Sequence, residues 1–244
     1  MSTASLLAPA PASRRLIAPW YHTLIFLLIL GAVAWLGTRL NKISSSGAGE
    51  GVLAKPHGQA LLYLSNIASE WLFVLFIWSG VNNRQGLRGL TGGRWTNCKQ
   101  AATDVAIAAP FWVLWTATAY FTWYLIGPAY GSHGPLSFPP HGWLDILAWL
   151  AVSATAGICE EIMYRGYLQQ QVRAITGSAV VAIVVQAILF GLGHTYQGWK
   201  PVFVITILGL LYGILAYWRG NLRSAMISHA WSDMFEGYFK FLWR

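Results

Sequence analysis

Glu160 and Glu161 stand side by side in an apolar stretch, closed four residues later by Arg165, in the run Glu160-Glu161-Ile162-Met163-Tyr164-Arg165. The chain has only eight acidic residues in 244, so an adjacent pair in such a place is informative. A charge at bilayer depth costs at least ~2.5 kcal/mol, which makes an intramembrane ionisable residue a functional-site candidate. Two more pairs at helical spacing follow, Phe190 with His194 and His229 with Asp233. A base, two imidazoles and a second carboxylate suffice for hydrolysis. One group takes a proton from water, and others hold the charge that develops on the attacked carbonyl.

On a helix, adjacent residues diverge by ~100°, so Glu160 and Glu161 face different ways. Glu161 and Arg165 are four apart with the acid first, the favourable order for an ion pair. Arg keeps its charge when buried and needs such a partner, so the plain reading of Glu161–Arg165 is a structural clamp. Glu160 has no local cation and is the better candidate for a general base. His194 reads either as a hydrogen-bonded residue near a helix end or as a catalytic imidazole, with Phe190 packing beside it one turn earlier. His229 and Asp233 can enter one cavity together, where the carboxylate fixes the imidazole's tautomer or favours its protonated form. The alternative is an inert pair gluing two helices. Gly209, Gly213 and Gly220 read as close helix approach, which is packing and nothing more.

These residues need a scaffold, and composition names its class. Hydrophobic residues make up 56% and charged residues 10%, with a mean hydropathy of +0.49, outside the range of a soluble globular domain. The expected fold is all-α, a polytopic transmembrane helical bundle. Spans are expected at 16–37, 59–79, 101–126, 142–173, 178–196, 201–218 and 222–243, which makes seven, or eight if one more is hidden. The 14 Trp residues suit interfacial belts. The net charge of +8 is scattered through loops and forms no stripe, so it speaks for membrane topology and anionic lipid, and against nucleic acid. Counting basic residues between spans favours a cytoplasmic N-terminus. Arg14 and Arg15 before an apolar run containing Ala32-Val33-Ala34 imitate a secretory leader, but that run can span as it stands. The connections at 38–58, 80–100 and 127–141 read as loops. Cys98 and Cys159 lack metal-ligand spacing, and Cys159 reads as a small packing residue.

Depth links the polar residues. Glu160 lies about 14 residues before the tight connection at 174–177, roughly 20 Å of helix. His194 lies a similar distance after it, and His229 and Asp233 sit half-way along the last span. If successive spans are antiparallel, all four converge on one level.

The combination resembles a known family. Glu160-Glu161-x-x-x-Arg165, Phe190-x-x-x-His194 and His229-x-x-x-Asp233, in that order, look like the three signature motifs of the CPBP intramembrane proteases, which include the type II CAAX prenyl endopeptidases and bacteriocin-processing and immunity proteins. Tyr164-Arg165-Gly166-Tyr167-Leu168-Gln169 and Ser228-His229-Ala230-Trp231 agree. The resemblance covers about 142–240; residues 1–141 read as N-terminal transmembrane helices without a signature. It implies a bacterial membrane protease cleaving a membrane-associated or lipidated peptide or protein. Glu160 and His194 would activate water, while His229 and Asp233 would stabilise the oxyanion. The family's last motif ends in Asn or Asp, and an ionised Asp233 accepts hydrogen bonds only, so orienting a cationic His229 suits it better than direct donation. Zinc held by Glu160, His194, His229 and Asp233 is the alternative to metal-free chemistry, although no HExxH spacing demands it. A non-catalytic scaffold or immunity-type protein and a proton-coupled transporter are the competing classes, the latter lacking the expected internal repeats.

Overall fold

The computed structural model describes residues 16–43, 58–81, 86–127 and 142–242. Arg14, Arg15, most of the 38–58 and 127–141 connections, and residues 82–85 lie outside them. The described residues form α1 (Trp20–Ile43), α2 (Gly58–Gly80), α3 (Gly86–Thr91), α4 (Cys98–Ile126) and α5 (Trp143–Glu160). Without a break, α5 continues into a π-helix (Glu161–Leu168) and then α6 (Gln169–Thr176). After these come α7 (Ala179–Gly193), a 3₁₀ turn (Thr195–Gln197), α8 (Trp199–Arg219) and α9 (Arg223–Leu242). No strand occurs among the described residues.

All seven expected segments are helical, and the fold is a helical membrane bundle. Among the described residues, five helices are long and apolar enough to cross a bilayer: α1, α2, α4, the continuous 143–176 rod and α8. α7 is apolar but has 15 residues, short of the ~20 that a span needs. Many large side chains facing outward are apolar, among them Leu61, Leu72, Trp78, Tyr124, Val180 and Trp218. Such an apolar exterior is what a hydrocarbon surrounding requires.

Three expectations are corrected. The 80–100 connection contains the short helix α3, which packs beneath the π-helix; Leu222 N–H donates to Thr91 O and Gln170 to Leu90 O. The rod at 142–173 is not α throughout, because its motif segment takes i→i+5 bonding: Gln169 N–H donates to Tyr164 O. π segments of this kind are rare and frequent at functional sites. The glycines of α8 do more than allow contact. Their bare backbone lets the Gln186 amide donate to Gly209 O at 2.9 Å and that of Gln169 to Gly213 O at 3.0 Å, so both side-chain nitrogens find acceptors in the interior.

Local chemistry sets the element ends near the site. Gly177, at φ 73°, closes α6 in the left-handed region, and the Ser178 side chain caps α7 by accepting from Val181 N–H. α5 packs between α2 and α9. A Cβ at Gly157 would lie 2.6 Å from Ala230 N, so the α5 and α9 backbones meet directly at that point. α1 is fastened to the same rod: Gln171 accepts from Ile17 N–H at 2.8 Å and donates to Ala18 O, and His22 and Thr23 both bond the Tyr167 hydroxyl. The Tyr-Arg-Gly-Tyr segment after the glutamates therefore anchors the first helix.

Candidate active site

Glu161 and Arg165 form the expected clamp, 3.0 Å apart with both side chains fully buried. The guanidinium also lies 4.3 Å over the Phe190 ring and 5.2 Å from that of Tyr212. Aromatic faces on two sides compensate part of its lost hydration. Phe190 thus packs between charge and imidazole, since its ring also meets His194 (5.1 Å) and His229 (6.0 Å) edge to face.

Glu161 has a second duty that spacing did not reveal. Its Oε1 lies 2.9 Å from His229 Nδ1. A carboxylate paired with Arg165 accepts only, so Nδ1 carries the proton and donates. Tyr212 stacks on the same ring at 5.1 Å and 21°. His229 is fixed in plane and tautomer, and its Nε2 points at Glu160 Oε2 (3.7 Å) and Asp233 Oδ2 (3.8 Å). Both distances exceed a hydrogen bond and leave room for a bridging group. Of the carboxylates around the ring, Glu161 is the one in hydrogen-bonding contact, so it is the stronger orienter of His229, ahead of Asp233.

His194 follows the last residue of α7, with φ −102° and ψ 18°, instead of lying within the helix as the 178–196 span implied. Its Nδ1 is 2.9 Å from Phe190 O. A carbonyl oxygen accepts only, so Nδ1 carries a proton and the neutral ring keeps its lone pair on Nε2. The ring stacks near Tyr196 at 6.0 Å, which in turn lies within electrostatic reach of Glu160 and Asp233. Gly193 is needed beside it, because a Cβ there would come within 2.7 Å of the Tyr164 hydroxyl.

The structure therefore brings Glu160, Glu161, Arg165, Phe190, His229 and Asp233 into direct contact, with His194 joined through Phe190 and Tyr196. Glu160 and Asp233 retain 17% and 29% side-chain exposure, whereas Glu161 and Arg165 have none, so the first two are open to an incoming molecule. Among the described residues, no group of three or more His, Cys, Asp or Glu side chains is disposed to hold a metal ion.

Three features escaped the sequence reading. Tyr212 lies below His229 with its hydroxyl 3.3 Å from Ser232 Oγ, and nothing in its spacing marked it. Asp104 is fully buried and gathers Arg219 (2.8 Å), Arg223 (2.6 Å), Ser224 (3.1 Å) and Trp95 (2.8 Å). Glu70, on α2, lies within electrostatic reach of Glu160, Asp233 and His229. A signal for Glu70 did exist: it is an ionisable residue in the middle of the expected 59–79 span.

Comparison with known proteins agrees with the resemblance. The family model described as type II CAAX prenyl endopeptidase Rce1-like matches residues 142–235. That segment holds every motif residue above, and at the level of the family it supports an intramembrane CAAX-type endopeptidase. No curated protein and no solved structure gave a match.

Proposed function

We propose that the protein hydrolyses a peptide bond in a membrane-associated or lipidated chain, using Glu160 and His194 to activate water and His229 with Asp233 to receive the oxyanion. One observation carries this reading: His229, locked through Nδ1 by Glu161, presents Nε2 to the gap beside Glu160 and Asp233. A substrate carbonyl entering that gap has a fixed imidazole to accept its developing charge. A water beside Glu160 has a carboxylate to take its proton, with the lone pair of His194 Nε2 to share it. Asp233 favours the cationic state of His229 in which Nε2 donates. No step needs a metal in this arrangement. Peptide cleavage at bilayer level also gives a reason for keeping carboxylates there at their cost. The family resemblance favours a bacterial plasma membrane protein, and the basic residues between spans favour an N-terminus in the cytoplasm.

The test is cleavage of a farnesylated peptide ending in a CAAX sequence by the full chain reconstituted in vesicles, beside an unprenylated control. Wild-type protein should release the C-terminal tripeptide, and Glu160→Gln should not. Equal rates for wild type and variant would sink the mechanism, and preference for the unprenylated peptide would sink the lipidated substrate. Membrane proteomics comparing wild type with the Glu160→Gln strain would name the natural precursor.

A further inference from the structure

We propose that Glu70 is the general acid of this site, a carboxyl that holds a proton and delivers it to the leaving nitrogen. This rests on the endopeptidase reading above.

The placement comes from the α2 register. Gln59, Tyr63, Ile67, Glu70, Val74, Ile77 and Val81 recur at spacings of four and three, which forms one face of a helix. Tyr63, Val74, Ile77 and Val81 on that face are buried. Tyr63 meets Trp149 of α5 ring to ring at 5.7 Å, while Val74 and Ile77 belong to the cluster containing Cys159, Ile162 and Met163. The two helices therefore run side by side in the same direction, and Glu70 falls near Cys159 and Glu160. Its electrostatic neighbours agree: Glu160, Asp233 and His229 from the site, with Cys159 and Tyr196 also within reach. The opposite face of α2, with Leu61, Leu64, Leu72 and Leu75, is exposed and apolar. A single acid on the inward face of an otherwise lipid-suited helix has no packing reason to be there.

Charge counting assigns the proton. Glu161 is held by Arg165 and the Nδ1 side of His229, and Glu160 and Asp233 share the Nε2 side. Glu70 has no ion pair among the described residues, and its Oε2 is buried without a hydrogen-bond partner there. Carboxylates within electrostatic reach of one another resist ionising together, and the one lacking a cation is assigned the proton. A neutral carboxyl donates. As the water oxygen bonds to the carbonyl carbon, Glu160 takes one water proton and the carbonyl electron pair moves to oxygen beside His229. Collapse breaks the C–N bond, the electron pair stays on nitrogen, and Glu70 protonates it. Proton transfer from Glu160 to Glu70 then restores both groups.

A thiolate leaves without a proton, which separates this role from a structural one. The probes are a farnesylated CAAX peptide and its analogue with a thioester at the scissile bond, both assayed with detergent-purified full-length protein. Glu70→Gln should lower kcat on the amide by about 100-fold with KM unchanged and keep most of the thioester rate, whereas Glu160→Gln loses both. Equal loss on both probes, or no loss, overturns the proposal. Infrared difference spectra provide a readout that needs no substrate and no variant beyond Glu70→Asp. Wild type at neutral pH should show the carbonyl band of a protonated carboxyl, shifted in Glu70→Asp, and absence of that band overturns the proposal. Peptide cleavage that persists in Glu160→Gln is instead the failure of the Glu160 mechanism, and no cleavage by wild type is the failure of the endopeptidase reading. In either case the infrared band still decides whether Glu70 holds a proton.

Discussion

Among the described residues two buried acids, Asp104 and Glu161, grip arginine, and they do different things. Asp104 joins α4 to the α8–α9 turn by accepting from Arg219, Arg223, Ser224 and Trp95, so both its oxygens are satisfied. Glu161 joins Arg165 to His229 through one oxygen, while its Oε2 and the Arg165 Nε have no hydrogen-bond partner among the described residues. In the first, opposite charges and neutral donors saturate the acid, although Arg219 Nε has no partner among the described residues. The second is an incomplete network whose next neighbours, Glu160 and Asp233, are themselves ionisable and partly open. Burial and pairing with arginine are thus shared by a staple and a site. Unsatisfied capacity and further titratable groups within reach distinguish them.

The largest contrast should come from Glu160, which has no counterpart beside Asp104. Glu160→Gln keeps shape and removes the base, so cleavage should fall by about 100-fold or more while the detergent elution profile stays that of wild type. A variant that retains more than a tenth of the rate would remove Glu160 from the chemistry.

Glu161→Gln should combine both kinds of damage. It strands a fully buried guanidinium, at a cost of about 3–5 kcal/mol, and it frees His229 to rotate. A lower melting temperature together with a lower kcat in the surviving folded fraction is expected. Loss of activity at unchanged melting temperature would mean that the clamp is not structural.

Asp104→Asn should show the staple alone. Replacing charge-assisted bonds by neutral ones at a site whose arginines remain partly hydrated should cost about 2 kcal/mol. The signature is a lower melting temperature with specific activity per folded molecule preserved. If kcat falls in proportion to nothing measurable in stability, the two regions are coupled and the comparison breaks.

The smallest effect belongs to Asp233→Asn. Hydrogen-bonding contact with Glu161 already orients His229, and an amide can donate to an oxyanion, so the rate should stay within about threefold. Exhaustive chelation should leave it equally unchanged. One zinc per chain by elemental analysis, lost with activity in Asp233→Asn, would transfer Glu160, His194, His229 and Asp233 to a metal's coordination shell.

Much of the site was legible because its pairs are local. Glu161 with Arg165, Phe190 with His194, and His229 with Asp233 each lie one helical turn apart, and helix geometry alone makes them neighbours. The long apolar runs of α2, α4 and α8 announced membrane helices because hydropathy and length are also local properties. Glu70 was overlooked although its place inside a span was visible, because a lone acid has no partner one turn away and its meaning lies in what α2 packs against.

Sequence by itself determined the fold class, the helices and the chemical types in each motif, since these follow from hydropathy and from contacts within about one turn. Only the tertiary structure decided which groups meet across helices. The Glu161–His229 bond spans 68 residues, the Arg219–Asp104 bond spans 115, and His194 takes its tautomer from a carbonyl exposed where α7 happens to end. The π-helix belongs with these, because i→i+5 bonding is locally unfavourable and persists only where surrounding packing holds it. Such contacts depend on the register between helices, which is set by Gly157 against Ala230 and Gly209 against Ala187 and has no signature along a single helix.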